Sequence, residues 1–277
     1  MTNSISKRPI LDTTTRWKDK HEDKIHNLEK TPRDLVIRIG QRKSGERLPA
    51  HSHGWGQLLY ANRGLMTANT AQGIWVVPPH RAVWIPAFIE HEVRFMHNTS
   101  MSNVYISPSA PIELPQHCSM VGVTPLLREL IREASTFPKL YDENGEQGRL
   151  VRVLIEQIGA MQESAIHLPC PADSKLRLIT DQIQKNPGDT KTLEDWAAQT
   201  GSSSRTLARK FRLETGMTFG QWRQQTRLLS AMIMLAEQKP VSLIADELGY
   251  VSQSAFIAMF KKATGKTPAR YFSNQEH

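Results

Sequence analysis

Between Leu35 and Ser107 the apolar residues fall in short runs, LVIRI, GQLLYA, GIWVVP, AVWIP, HEVRFM and NVYIS, punctuated by Gly, Pro and Asn. Short runs rich in Val, Ile, Trp and Tyr and bounded by turn residues read as strands, and this many in succession predict a small β-sandwich or barrel. After the proline-rich passage PSAPIELPQ the period lengthens. LLRELIREA is followed by Leu150, Val153, Leu154, Ile158 and Met161 at intervals of three and four, one face of an amphipathic helix. That stripe fits packing against the sheet of its own subunit and a seam between two subunits equally well. HLPCPAD, residues 167–173, sets two prolines and a cysteine between two helical patterns and predicts a linker. Residues 1–30 read as a flexible arm, and from Ser174 onward the pattern is helical. The expected fold class is α+β: a β-barrel with a helical extension over 31–166, then an all-α domain over 174–277.

The helical part contains one pattern twice. LEDWAAQTGSSSRTLARKFRLETGMTF runs from Leu193 to Phe219, and LIADELGYVSQSAFIAMFKKATGKTP starts at Leu243. Phe211 and Phe260, 49 residues apart, each have an apolar partner four residues earlier, Leu207 or Phe256. Each also follows a serine, Ser203 or Ser252, and precedes a Thr-Gly pair, Thr215-Gly216 or Thr264-Gly265. A short helix ending near Gly201 or Gly249, a serine N-cap and a second helix stopped by Thr-Gly make a helix-turn-helix, expected at about 193–214 and about 241–264.

The outward side of the first second-position helix carries Ser204, Arg205, Ala208, Arg209 and Arg212, with Lys210 alongside and no acidic residue before Glu214. Such a helix fits a major groove. Arg205 and Arg209, nearer its start, are the expected readers of guanine O6 and N7, and Arg212 and Lys210 the expected phosphate contacts. The second copy presents Gln253, Ser254, Ile257, Ala258, Lys261 and Lys262. There Gln253 suits adenine, Ile257 or Ala258 a thymine methyl, and the lysines phosphate.

Charge agrees with this reading: the formal net charge is +8 and the pI near 9.6, which favours a polyanionic partner and by itself leaves nucleic acid and anionic membrane open. No apolar run suits a signal peptide or a membrane span, so a cytoplasmic protein is expected. Cys118 and Cys170 lack metal-ligand spacing and read as reduced bystanders.

Residues 174–274 closely resemble the DNA-binding domain of the AraC/XylS family of bacterial regulators. The resemblance rests on GSSSRTLARKF with ETGMTF, on GYVSQSAFIAMFKKATGKTPARYF, and on the joining helix QWRQQTRLLSAMIMLAEQ. It implies a seven-helix domain that presents both recognition helices to successive major grooves on one DNA face. Family members typically place an Arg in the second recognition helix where this chain has Ala258.

In the N-terminal half, GERLPAHSHGWGQLLYANRG sets Gly45, His51, His53, Gln57 and Gly64 at spacings similar to the first cupin motif, whose Gln57 position is usually Glu. His91 falls where the second motif has its His, but Phe88 stands where Gly is usual and Phe95 where Asn is usual. The sensor domain is thus identified as cupin-like. His51 and His53 are expected to point to one side of a strand, and with His91 and the Gln57 amide they are the expected ligands for zinc, nickel or iron only if the barrel is metallated. The resemblance implies that many such sensor domains use the barrel mouth for an effector without metal, and no cofactor is expected. Its lining is expected from His51, His53, Trp55, Gln57, Trp84 and His91, with Trp75, Tyr60, Phe88 and Met66 as further apolar candidates. His97, His117 and His167 match no motif and read as surface or linker residues.

The reading is a non-catalytic transcription regulator with double-stranded DNA, a small-molecule effector, a second copy of the chain and RNA polymerase as partners. The resemblance adds control of a neighbouring transporter gene. A metal-dependent cupin enzyme and a metal sensor, each with a DNA-binding tail, are the alternatives.

Overall fold

The computed structural model describes residues 28, 30–164 and 167–271; apart from residues 28 and 30, the arm expected over 1–30 lies outside them. The N-terminal half forms two antiparallel sheets. The first is built from β1 (Leu35–Arg42), β3 (Gly56–Arg63), β6 (Arg81–Ile85), β8 (Thr99–Ile106), β9 (Ser119–Gly122) and β10 (Glu163–Ser164), in the order β1-β8-β3-β6-β9-β10. The second is built from β2 (Arg47–His51), β4 (Met66–Thr70), β5 (Gly73–Val77), β7 (His91–Phe95) and β11 (Leu168–Pro169), in the order β11-β5-β4-β7-β2.

Strand alternation sorts the residues. On β3, Gln57, Leu59 and Ala61 stand beside Tyr105, Asn103 and Met101 of β8 and face the space between the sheets, where Leu59, Ala61, Val83 and Ile85 meet Met66, Trp75, Val77, Val93 and Phe95. Leu58 and Tyr60 face the other way, onto helices α1 (Pro125–Ala134) and α2 (Glu146–Gly159), which contribute Leu127, Ile131, Val151, Leu154, Ile155 and Ile158. The α2 stripe therefore covers its own sheet: Leu154 and Ile158 are buried, while Val153 is 43% exposed.

Seven helices follow among the described residues: α3 (Ser174–Lys185), α4 (Leu193–Thr200), α5 (Ser204–Thr215), α6 (Phe219–Ala236), α7 (Val241–Glu247), α8 (Gln253–Thr264) and α9 (Pro268–Tyr271). The side chains of Ser203 and Ser252 accept from Thr206 N and Ala255 N, and Gly216 and Gly265 end their helices with φ of 70° and 77°. Thr192 and Thr218 add capping boxes at α4 and α6. The long helix α6 buries Trp222, Leu229 and Met232 in a core shared by Trp196, Leu207 and Phe211 of the first unit and Ile244, Phe256 and Phe260 of the second. The two units thus share one core. Among the described residues no helix is long and apolar enough to cross a membrane.

One close approach locks the units together. Arg227 Nε donates to Pro187 O at 3.1 Å and Arg223 reaches the carbonyls of Asp189 and Lys191, so the α3–α4 loop lies on α6. A Cβ on Gly188 in that loop would stand 2.4 Å from the Glu247 carbonyl. Gly188→Ala is expected to cost at least about 1 kcal/mol through this overpacking, read as a lowered urea midpoint; an unchanged midpoint would show that the loop yields freely.

The linker expected over 167–173 is more than a tether. Leu168 and Pro169 pair with Ile74 and Gly73 at the edge of the second sheet, a place where proline is tolerated because no ladder donor is needed there. The Pro169 carbonyl accepts from Trp222 Nε1 at 3.0 Å, and Leu168 joins Leu65 and Val76 in the core of the helical block. His167, read as a surface or linker residue, stacks on Trp75 at 4.5 Å between ring centroids.

Candidate functional site

The surface that the sequence led us to expect against DNA is built by α5 and α8. Helix α5 turns Leu207, Phe211 and Thr215 inward, which leaves Arg205, Ala208, Arg209 and Arg212 exposed on the opposite side, with Ser204 half-exposed. Its outward face is therefore a row of guanidinium groups following a capped helix start. Lys210, expected as a phosphate contact, is engaged within the chain. Its ammonium pairs with Asp173, whose carboxylate also caps α3 by accepting from Lys175 N and Leu176 N. Glu214 Oε2 accepts from Ala172 N and Asp173 N at 2.8 and 2.9 Å. The inner flank of α5 thus holds the strap from the sheet domain, and its outer flank remains open to a partner.

On α8, Gln253, Ser254, Ala258, Lys261 and Lys262 are exposed. Ile257 is half-buried and packs against the core, which leaves Ala258 as the exposed small residue beside it. Sequence reasoning passed over Val251, which is 98% exposed just before the Ser252 N-cap. The 49-residue repeat offered a signal: it aligns Val251 with Ser202 of the first unit, an apolar residue where its counterpart is polar.

At one end of the sheets, β2 and β7 bring His51 and His91 together as cross-strand partners beside a register shift. His53 lies past the end of β2 in the β2–β3 connection, so it does not share a strand with His51 as the sequence led us to expect. The ring centroids are 4.3 Å apart for His51 and His91, 5.2 Å for His53 and His91, and 6.1 Å for His51 and His53. His53 and His91 are buried and His51 is half-buried; burial holds the His51 imidazole below its usual pKa, against the opposing pull of its contact with Pro49 O. Gln57 stands between His53 and Asn103, and Tyr105 meets His53 edge-on at 5.3 Å. Burial pushes the Tyr105 hydroxyl up to about 12. Phe88, at the position where glycine is usual, keeps a left-handed backbone with φ of 64° and donates its N–H to His53 O at 2.8 Å. It is 76% exposed at the rim of the cluster.

The wider apolar lining does not assemble as expected. Trp84 pairs with Leu58 and so lies with Tyr60 on the helix-covered face, its Nε1 donating to Pro115 O at 2.8 Å. Both faces of β3 and β6 are buried, so apolar alternation carried no sign of which face was which. Trp55 is buried against Leu28 and Tyr105. Trp75 and Met66 fill the space between the sheets.

A duplicated, capped helix-turn-helix with arginines along its open face makes the C-terminal half a DNA-binding domain of the kind carried by transcription regulators. Residues 196–274 match the family described as helix-turn-helix domain. Over 225 residues the chain is 36% identical to the HTH-type transcriptional regulator NimR of Escherichia coli K12, a match covering 81% of this chain and 82% of NimR. It is 40% identical over 97 residues to the regulatory protein SoxS of Salmonella typhimurium LT2, covering 35% of this chain and 91% of SoxS. A solved structure of ToxT from Vibrio cholerae superposes with a TM-score of 0.36 at 11% identity, covering 87% of this chain and 98% of that one. The chain belongs to the AraC family of DNA-binding transcriptional regulators.

Proposed function

We propose that the chain is an effector-responsive, cytoplasmic regulator that binds paired sites as a homodimer, reads bases through α5 and positions itself through α8. The carrying observation is the guanidinium row on α5: Arg205, Arg209 and Arg212 are exposed opposite buried Leu207 and Phe211. Arg205 and Arg209 are the base readers and Arg212 a phosphate contact, with Ser204 and Ala208 beside them. On α8, Gln253, Ser254 and Ala258 approach bases and Lys261 approaches phosphate.

The effector site is the histidine end of the sheets, comprising His51, His53, Gln57 and His91 with Trp55 beneath. The strap at 168–173 supports a route from there to DNA, because one short segment bonds to the second sheet, to Trp222 and to the inner flank of α5. An effector that favours one arrangement of the sheet end then shifts the orientation of the reading helices. Leu126, Leu140 and Val153, exposed around α1 and α2, support that surface as the subunit seam. Control of a neighbouring transporter gene and contact with RNA polymerase complete the proposal, with no catalysis in the sheet domain.

The test is selection of bound fragments from random DNA by the purified full-length protein at stated salt. A motif spanning two adjacent major grooves is the expected result, and recovery of unenriched sequence both with and without candidate effectors would sink it. Lys261→Ala should lower affinity evenly across sequences and reduce the slope of log affinity against log salt by about 1. An altered base preference with an unchanged slope would contradict the phosphate role.

A further inference from the structure

Along the β2–β7 pair, His51 and His91 mark one end of the sheets and Arg47 and Arg94 the other. At that second end a cleft of about 750 Å³ is lined by Arg42, Lys43, Glu46, Arg63, His97 and Ser100. Strand register gathers them: Arg42 of β1 stands opposite Thr99 and Arg63 of β3 opposite Ser100, beside a register shift in the β3–β8 ladder. Every residue of the lining is polar or charged, so an apolar molecule finds nothing there to bury against. Three cations line the cleft against one carboxylate, Glu46, whose Oε2 lies 3.8 Å from Arg42 Nη1, beyond hydrogen-bond length. Arg47 and Arg94 add two positive charges nearby against Glu92, the partner of Arg94. Like charges gathered in this way repel, and an anion in the cleft relieves them. Arg42 gives an independent sign. Its Nε is buried and donates to no group among the described residues, a costly state for an N–H. A small turn of the guanidinium lets Nε and a terminal nitrogen grip one oxyanion together, the two-bond contact to which its planar fork is suited.

We propose that this cleft binds a small dianionic metabolite, its charge carried by a phosphate monoester or by two carboxylates, on Arg42 and Lys43. With histidine neutral the lining carries a formal charge of +2, which matches a dianion. The site is independent of the effector reading at the histidine end, and it has its own path to the helices. Met96 N and His97 N donate to Leu65 O at 2.9 and 3.3 Å, and Thr99 Oγ1 reaches Leu65 O and His97 O at 3.3 and 2.7 Å. Leu65 belongs to the core of the helical block, and Met96 packs against that core. The approach is close: Gly64 has φ of 84°, and a Cβ there would stand 2.5 Å from Asn98 O. The segment 96–99 therefore lines the cleft and docks on the helices at once. An anion that holds this segment favours one seating of Leu65 and Met96, and through them one placement of the helical block.

The test is titration calorimetry of the full-length protein with glycerol 3-phosphate and, separately, with succinate, at fixed ionic strength because exposed charges are screened by salt. One saturable site per chain is expected, and the probe that fills it tells phosphate from carboxylate. Arg42→Gln should weaken that binding by about 10–100-fold, the loss of a charge-assisted hydrogen-bond pair. Lys43→Gln, at an exposed position that cannot unfold the strand, should weaken it by about 2–5-fold. Glu46→Gln has the opposite expected sign, since it removes the one carboxylate of the lining and should tighten binding. Bound probe should also slow hydrogen exchange at the Met96 and His97 amides. Absence of saturable binding by both probes, or binding that Arg42→Gln and Lys43→Gln leave unchanged, overturns the site. Affinity for duplex DNA, measured on the same variants, separates the remaining source: a loss there with no saturable probe binding hands the cleft to the DNA backbone and sinks the metabolite.

Discussion

Trp222→Ala will destabilise the protein by about 3–5 kcal/mol, the usual cost of emptying a buried tryptophan site. Trp222 has no exposed surface. Its ring meets Phe211 edge-on at 5.8 Å between centroids, and it sits on α6, the helix whose inner face both helix-turn-helix units share. The substitution therefore opens a cavity at the centre of the helical block instead of at one unit's edge. It also orphans the Pro169 carbonyl, which accepts from Nε1, and so loosens the strap between sheet and helices. Urea unfolding followed by circular dichroism measures the first effect. Trp222→Phe separates the two, since it retains an aromatic ring and removes the N–H; its expected cost is about 1–3 kcal/mol for an unsatisfied buried acceptor. A loss below about 1 kcal/mol in Trp222→Ala would mean that the two units fold on separate cores.

On DNA, the double variant Arg205→Ala with Arg209→Ala should lose roughly 3 kcal/mol of binding to its selected site, more than a hundredfold. Both side chains are exposed on α5, so folding stability should hardly change and the loss should lie in recognition. Fluorescence anisotropy at one salt concentration, on the selected duplex and on a scrambled one, gives the decisive comparison. Base readers cost affinity on the selected duplex and little on the scrambled one. Equal losses on both would reassign these arginines to phosphate and move specificity elsewhere, with Gln253 and exposed Val251 on the second unit as the first places to look.

Short-range chemistry was the legible part of this protein. The helix starts at Ser203 and Ser252 and the stops at Gly216 and Gly265 stand where the repeat predicted them, because a cap is satisfied within three or four residues of chain. The arginine row of α5 was legible for the same reason: helical period alone sets Arg205, Arg209 and Arg212 opposite Leu207 and Phe211. Ile257 shows the limit, since the same period placed it outward and the neighbouring helices half-bury it.

By itself, then, the sequence determined the strand-rich and helical halves, the duplicated unit with its caps and turns, and the approach of His51, His53 and His91, each resting on local periodicity or on a motif whose spacing implies its geometry. Tertiary structure alone decided which face of each doubly buried strand looks between the sheets, so that Gln57 meets the histidines and Trp84 lies under the helices. It also decided that α2 covers its own sheet, that Lys210 pairs with Asp173, and that residues 168–173 join the halves as a strand and a set of hydrogen bonds. These depend on register and on contacts between segments far apart in the chain, where the pairing partner, and not the residue's own pattern, settles the outcome.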